Sequence, residues 1–247
     1  MEQAFLENNF LETSVLISAA NYFEDYSDKA HRLFQSGDFI ICTTVLEELD
    51  SLSSRRIKLY NKILQSNIDS AESVGQFIQR VMNECHIETG HDRESLEQTF
   101  EYLLTQLGFD KEHTLSNDEL SDFEIKLNEV FSPIKNRLFW MTHSFEDGSY
   151  KSKHVIQKYN NSPNHTNLLH YFEKEVSSDR NHHYDLYILA SAATHAYKYD
   201  LFLNFISNDH IHYQNISKFC KIIDKYYSVI YPQDRRITMT KLSDFTY

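Results

Sequence analysis

Glycine, proline and cysteine are scarce in this chain: 247 residues include only 5, 3 and 3 of them, respectively. With so few glycines and no GxGxxG or Walker A pattern, the sequence excludes a glycine-rich phosphate-binding loop. The same scarcity argues against long flexible linkers, so we expect an ordered protein. Cys42, Cys85 and Cys220 lie far apart and form no CxxC pair, which argues against a zinc site and is typical of a reducing compartment.

Long apolar runs are also missing. No segment approaches the roughly 18 residues of a membrane-spanning helix. The N-terminus, MEQAFLENNF, carries acidic residues where a secretory signal needs basic ones. We therefore expect a cytoplasmic protein that does not bind a membrane.

Positive charge is in deficit, because 24 Lys and Arg against 36 Asp and Glu give a formal net charge of −12. Such a charge repels a polyanion, which argues against general nucleic-acid binding by phosphate neutralisation unless basic patches or bound cations compensate locally. Apolar residues are plentiful, at 41% of the chain. This is enough for the core of one large or two small domains.

Strand-like and helix-like patterns alternate near both ends of the chain. The patterns predict strands at 10–17, 38–44, 201–207 and 228–232, and helices at 18–37, 45–64, 182–200 and 208–227. This order predicts one α/β domain with a parallel sheet, formed by residues 1–56 and 181–232.

The middle of the chain, residues 57–180, has a different pattern. Apolar residues such as Leu96, Phe100 and Leu103 recur at helical spacing, with charged residues between them. We predict a mainly helical insertion whose end, EDGSYKSKHVIQKYNNSPNHTN, has the composition of a loop. We assign residues 233–247 to a C-terminal tail.

Four acidic residues stand at related positions in the predicted domain. Glu12 ends the first strand, Asp209 follows the strand LFLNFIS, and Glu48 and Asp185 lie in the early turns of helices. Because parallel strands share one carboxyl edge, these side chains can converge there. Each also has a simpler interpretation: Asp185 and Asp209 as helix caps, and Glu48 as part of a solvated helix face. Glu12 is the hardest to explain, because it interrupts an apolar run.

The four acids and their surroundings resemble the PIN domain family of metal-dependent nucleases. The matching segments are LETSVLI with Glu12, TTVLEEL with Glu48, YDLYILASA with Asp185 and NFISNDHIHY with Asp209. Two positions differ from the family pattern, since the first acid is usually Asp and Ser14 replaces the usual Asn. Glu47 is a rival for the second acid; Glu48 is preferred because it directly precedes Leu49.

The resemblance implies a three-layer α/β/α domain with a central parallel sheet and a site formed by the four acids. Carboxylates at close range repel one another and favour a cation, and oxygen ligands select Mg²⁺ or Mn²⁺. The implied activity is hydrolysis of a phosphodiester bond, generally in RNA and sometimes in structured DNA. Ser14 and Ser207 are expected to orient water molecules on the metal.

Substrate binding requires positive charge elsewhere in the chain. The best candidates for phosphate contacts are Lys151, Lys153, Lys158 and Arg180, with Lys174 nearby; Arg55 and Arg56 are a second, weaker group. An ordinary solvated loop is the simpler interpretation of the first group. His210 and His212 form no zinc motif at their spacing, and we predict exposed loop histidines.

Three functions compete at this stage. The first is a metal-dependent ribonuclease, and the second is a catalytically inactive PIN-like module that binds RNA or a protein. The third, the toxin of a toxin–antitoxin pair, is disfavoured because such toxins are usually about half this length. The resemblance also implies that the protein can form a homodimer.

Overall fold

The structure is a computed structural model that describes residues 8–37, 39–68, 72–87, 91–146, 155–156, 162–176, 183–228 and 236–246. The strands are β1 (Asn8–Leu11), β2 (Phe39–Cys42), β3 (Val155–Ile156), β4 (Leu203–Ser207) and β5 (Ile237–Lys241). The helices of the first half are α1 (Thr13–Ala20), α2 (Ser27–Ser36), α3 (Thr43–Gln65), α4 (Val74–Glu84) and α5 (His91–Leu107). Those of the second half are α6 (Asn117–Glu146), α7 (Pro163–Val176), α8 (His183–Lys198), α9 (His210–Gln214) and α10 (Ile216–Tyr227), with a short 3₁₀ helix at Leu242–Asp244.

The strands form one sheet in the order β3-β2-β1-β4-β5, and every neighbouring pair is parallel. Phe10 of β1 lies opposite Ile40 on one side and Phe205 on the other, and the two phenylalanine rings stack with centroids 5.5 Å apart. Every residue of β4 is buried, as expected of a central strand in a parallel sheet. The predicted α/β class with a parallel sheet is confirmed.

The direction in which successive strands are added to the sheet reverses between β1 and β4. From β1 the chain moves to β2 on one side, and β4 later pairs with β1 on the other side. In open parallel sheets, ligands bind in the crevice beyond the carboxyl ends of the strands at such a point. The topology therefore predicts a ligand site beside the residues that follow Leu11 and Ser207.

The chain divides into two compact units. The first contains Met1–Ala19, Asp28–Leu49 and Ser144–Tyr247, and the second contains Ala20–Ser27 and Asp50–His143. In the first unit α8 packs against β2, β4 and β5, and α10 packs against α7 and β5. The core of the second unit includes an aromatic cluster in which Phe100 lies 5.1 Å from Phe131, measured between ring centroids.

These boundaries differ from the predicted ones, since residues 20–27 and 50–56, predicted in the α/β domain, belong to the second unit. Two further differences concern the unit with the sheet. First, α7 and β3, predicted in the insertion at 57–180, belong to the unit with the sheet. The reason is that α7 buries an apolar face, with Phe172 in edge contact with Phe219 of α10, while β3 pairs with β2. Second, the predicted tail at 233–247 contributes β5, which pairs with β4 along its whole length.

Of the four predicted strands, one is much shorter than expected and another lies mostly outside the described residues. The run at 10–17 was expected to be a strand throughout, but the strand ends at Leu11 and a helix begins at Thr13. The expectation was wrong because the β-branched residues of this run are buried by tertiary packing, which here overrides their strand propensity. Most of the strand predicted at 228–232 lies outside the described residues. In the described part of the chain, every helix is too short or too polar to span a lipid bilayer.

Candidate metal centre

Three of the four predicted acids meet at the carboxyl edge of the sheet. Glu12 follows β1, Glu48 lies near the start of α3, and Asp185 lies in the first turn of α8. One carboxylate oxygen of each residue lies within 4.8 Å of those of the other two. Glu12 and Asp185 are buried, with 2% and 8% of their surface exposed, and Glu48 is half-buried. We call these three residues the acidic triad.

Glu12 occupies the junction between strand and helix. Its backbone N–H donates to the Ile206 carbonyl of β4 at 3.2 Å, and its own carbonyl accepts from the Val15 N–H at 3.1 Å in α1. The Glu12 carboxylate also accepts the Ser14 N–H, with N and Oε2 3.0 Å apart. A side-chain oxygen that binds a free N–H of the first helical turn is a helix cap. The helix start therefore partly compensates this buried acid.

Two serine hydroxyls surround the Glu12 carboxylate. Ser14 donates its hydroxyl to Oε2, and its Oγ accepts the backbone N–H of Asn208 at 3.0 Å. Ser207 Oγ lies 3.3 Å from the same Oε2 and accepts the backbone N–H of Asp209 at 2.9 Å. Both serines singled out by the sequence therefore contact Glu12 and also bind the loop that follows β4.

The electrostatics of the acidic triad disfavour three bare carboxylates. Burial raises the pKa of Glu12 well above its ordinary value, and the negative charges of Glu48, Asp209 and Asp185 raise it further, while the Ser14 hydrogen bond lowers it. Burial likewise raises the pKa of Glu48, opposed by a hydrogen bond from Thr13. Like charges in a desolvated site favour either proton uptake or a bound cation.

Asp209, the fourth predicted acid, has a different arrangement. Its Oδ1 accepts the Ile211 N–H at 2.9 Å and so caps α9, which is the simpler interpretation considered for this residue. Among the described side chains, Asp209 does not belong to the group whose carboxylate oxygens lie within 4.8 Å of one another. It is close enough, however, for its charge to raise the pKa values of Glu12 and Glu48.

Glu47, the rival of Glu48, is exposed and does not contribute to the acidic triad. The two residues are adjacent on α3 and point in different directions, since successive helical residues are rotated by about 100°. The preference for Glu48 rested on its position before Leu49. Leu49 is fully buried, which orients this turn of the helix.

Two residues that contact the acidic triad had no predicted role there. Thr13 donates its hydroxyl to Glu48, with Oγ1 and Oε2 2.5 Å apart, and only 1% of Thr13 is exposed. His212, predicted to be an exposed loop residue, is 1% exposed and contacts Ser207 and Asp185; that prediction was wrong. Most neighbours of His212 in the sequence are polar, and they gave no sign that its side chain is buried. For Thr13 the available signal was its place directly after Glu12.

Only some of the basic residues predicted for substrate binding belong to the described part of the chain. Lys151, Lys153, Lys158 and Arg180 lie outside the described residues. Lys174 lies in the last turn of α7. In the second unit, Arg56 is buried and pairs with Glu24 at 2.7 Å, so its proposed phosphate contact is wrong; Arg55 is exposed and pairs with Asp92 at 2.5 Å.

The ligand atoms of the acidic triad are all oxygen, which suits a hard divalent cation such as Mg²⁺ or Mn²⁺ and not zinc or copper. In the described part of the chain, no second group of three His, Cys, Asp or Glu side chains brings ligand atoms so close. The fold and site thus define an α/β protein with a carboxylate cluster at the switch point of a parallel sheet. Comparisons of the chain with protein-family models, curated proteins and solved structures found no match.

Proposed function

We propose that this protein is a metal-dependent nuclease with a PIN-like, three-layer α/β/α domain and that it hydrolyses phosphodiester bonds in RNA. One observation carries the proposal: Glu12, Glu48 and Asp185 bring carboxylate oxygens within 4.8 Å of one another beyond the carboxyl ends of β1 and β2. At this range each acid raises the cost of ionising the others, and a bound cation offsets that cost.

The acidic triad would hold the ion, and the neighbouring residues fit that role. Thr13 orients the Glu48 carboxylate, while Ser14 and Ser207 contact that of Glu12. When bound, Mg²⁺ or Mn²⁺ lowers the pKa of a coordinated water and neutralises charge on a phosphodiester. Asp209 adds negative charge beside the site and strengthens the preference for a divalent cation.

A second function, a catalytically inactive PIN-like module, is favoured by the orientation of Asp209. The resemblance requires four acids in the site, but the Asp209 carboxylate binds the backbone of α9. Such a module would bind RNA or a protein without cleaving it. RNA binding without RNA cleavage would distinguish such a module from a nuclease.

The full-length protein is incubated with single-stranded and hairpin RNAs in Mn²⁺, with and without EDTA. We expect cleavage that EDTA stops and that Asp185→Asn abolishes, because the substitution removes one ligand charge from the acidic triad. Glu47→Gln is the matched control: it removes the same charge from an exposed neighbour on α3. This variant is expected to cleave like the unmodified protein.

Two outcomes contradict the nuclease. Intact RNA in every reaction with folded protein supports the inactive module, particularly if the RNA shifts in a binding assay. Cleavage that persists in Asp185→Asn points to a contaminating nuclease or to another site.

A further inference from the structure

His212 is a buried histidine in apolar surroundings. Only 1% of its surface is exposed, and its ring lies between Phe205 and Phe219, with centroid distances of 5.0 and 6.2 Å. A polar ring in such a position is unfavourable unless its nitrogen atoms form hydrogen bonds. Both nitrogen atoms do so, and their partners belong to the candidate metal centre.

The two hydrogen bonds determine the state of the neutral ring. Nε2 lies 3.2 Å from the backbone carbonyl oxygen of Asp185, and Nδ1 lies 2.9 Å from Ser207 Oγ. A carbonyl oxygen can only accept, so Nε2 carries the proton. In a neutral imidazole Nδ1 then accepts, and the Ser207 hydroxyl donates to it.

This arrangement controls the hydroxyl that faces Glu12. Ser207 has one hydroxyl proton and two acceptors within reach, His212 Nδ1 at 2.9 Å and Glu12 Oε2 at 3.3 Å. The shorter distance favours His212, so Ser207 Oγ faces Glu12 without donating to it. The end of β4 that carries Ser207 is linked to Glu12 by the backbone hydrogen bond from the Glu12 N–H to the Ile206 carbonyl. The His212 ring thereby connects Ser207 with the helical turn that carries Asp185.

We propose that His212 is a positioning residue of the candidate metal centre, which fixes the separation of Glu12 and Asp185 through Ser207 and the Asp185 carbonyl. The inference rests on the proposed metal site, and it adds a residue that binds neither metal nor substrate. Because a hard cation binds only when its ligands have a defined separation, loosening either hydrogen bond weakens binding.

Substitutions can remove the two hydrogen bonds separately. The amide of Asn replaces Nδ1, so His212→Asn keeps the Ser207 contact and loses the Asp185 contact. The longer Gln replaces Nε2, so His212→Gln does the reverse. His212→Leu removes both. His165→Gln is the matched control, because His165 is likewise buried, at 2% exposed, and contacts the Ser191 hydroxyl and the Tyr187 carbonyl, which belong to no residue of the acidic triad.

Mn²⁺ affinity is measured on the full-length protein by the loss of the free-ion electron paramagnetic resonance signal, and the melting temperature of the metal-free protein is recorded in parallel. We expect the Asn and Gln variants to bind Mn²⁺ about 10-fold more weakly and the Leu variant about 100-fold more weakly. His165→Gln is expected to lower the melting temperature without changing Mn²⁺ affinity. A purely structural His212 would behave like His165.

A measurement on the unmodified protein covers the case in which His212 variants do not fold. With ¹⁵N-labelled histidine, the ring signals of His212 should show the Nε2–H form, and adding Mg²⁺ should shift them more than those of His165. Equal or absent shifts in a protein that binds Mg²⁺ overturn the proposal, as does wild-type Mn²⁺ affinity in His212→Leu. If the unmodified protein binds no Mn²⁺, the metal site and this inference both fail; if it binds Mn²⁺ but cleaves no RNA, only the proposed nuclease fails.

Discussion

Thr13 donates its hydroxyl to the Glu48 carboxylate across a distance of 2.5 Å between Oγ1 and Oε2. Thr13 is the first residue of α1 and Glu48 lies on α3, so this hydrogen bond connects two helices that follow neighbouring strands. Burial raises the pKa of Glu48 and the Thr13 hydrogen bond opposes that rise. Thr13 therefore stabilises the ionised form of a candidate metal ligand.

The variant Thr13→Val removes this donor while preserving the shape of the side chain. We expect it to lower the free energy of unfolding by about 1.5 kcal/mol, the lower end of the range for hydrogen bonds to charged groups, and to weaken Mn²⁺ binding. Thr13→Ser, which keeps the hydroxyl, should restore most of both. Urea unfolding and a Mn²⁺ titration measure the two effects. If Val and Ser variants bind Mn²⁺ equally, the hydrogen bond does not orient Glu48.

Asp209 has two separable roles, a helix cap and a negative charge. Asp209→Asn keeps the cap, since Asn is an equally good N-cap residue, whereas Asp209→Ala loses it. We expect the Ala variant to be about 1 kcal/mol less stable than the Asn variant in urea unfolding. Both should lower Mn²⁺ affinity to the same modest extent, because both remove the charge. Complete loss of Mn²⁺ binding in Asp209→Asn would instead make Asp209 a metal ligand.

The raised pKa of Glu12 predicts a pH dependence with a defined sign. Burial is the main cause, and a carboxyl group with a raised pKa keeps its proton in the folded state where the unfolded chain has lost it. This contribution to stability is fully present below the ordinary pKa of 4.5 and is lost as the pH rises through the folded pKa. Relative to Glu12→Gln, the metal-free protein should lose stability from about pH 4.5 upward.

Mn²⁺ should reverse this trend, since the ion binds the ionised carboxylate and its stabilisation grows as the pH rises. Urea unfolding across the pH range, with and without Mn²⁺, measures both effects for the unmodified protein and Glu12→Gln. Parallel pH curves for the two metal-free proteins would contradict the raised pKa.

The second unit contains a buried ion pair that predicts a large loss of stability. Arg56 and Glu24 are each 3% exposed at the side chain, and Arg56 also binds Asp92 at 3.0 Å. Glu24→Gln leaves the buried guanidinium with less compensating charge, and we expect a loss of about 3 kcal/mol in urea unfolding. A double variant that replaces Glu24 and Arg56 with Leu and Met should recover part of it. A loss below about 0.5 kcal/mol for Glu24→Gln would contradict the importance of the pair.

The sequence predicted the helices and strands that have clear periodicity. The prediction failed for an element that is buried on all sides. The segments that form β2 and β4 are short and apolar. The helix α3 follows β2 and the helix α8 precedes β4, which gives the alternating α/β order. The segment that became α1 shows no helical periodicity, because seven of its eight residues are buried. A helix without a polar face resembles a buried strand in sequence.

The candidate site could likewise be predicted only in part, because the sequence pattern indicates the topology and not the packing of single side chains. The order of acids along the chain identified Glu12, Glu48 and Asp185, since the carboxyl edge of a parallel sheet is a property of topology. The rotation of a single side chain is not, so the sequence left two interpretations of Asp209 open, and its turn towards Ile211 agrees with the helix cap. The burial of His212 depends on Phe219, a residue of the following helix, and no local signal reports it.

The most direct test of the central claim is a crystal structure of the protein grown or soaked in Mn²⁺, with an anomalous difference map calculated at the manganese edge. We expect a peak bounded by the carboxylate oxygens of Glu12, Glu48 and Asp185, and no such peak in crystals of Asp185→Asn. A map without a peak between these three side chains, or with manganese bound only elsewhere, would contradict it.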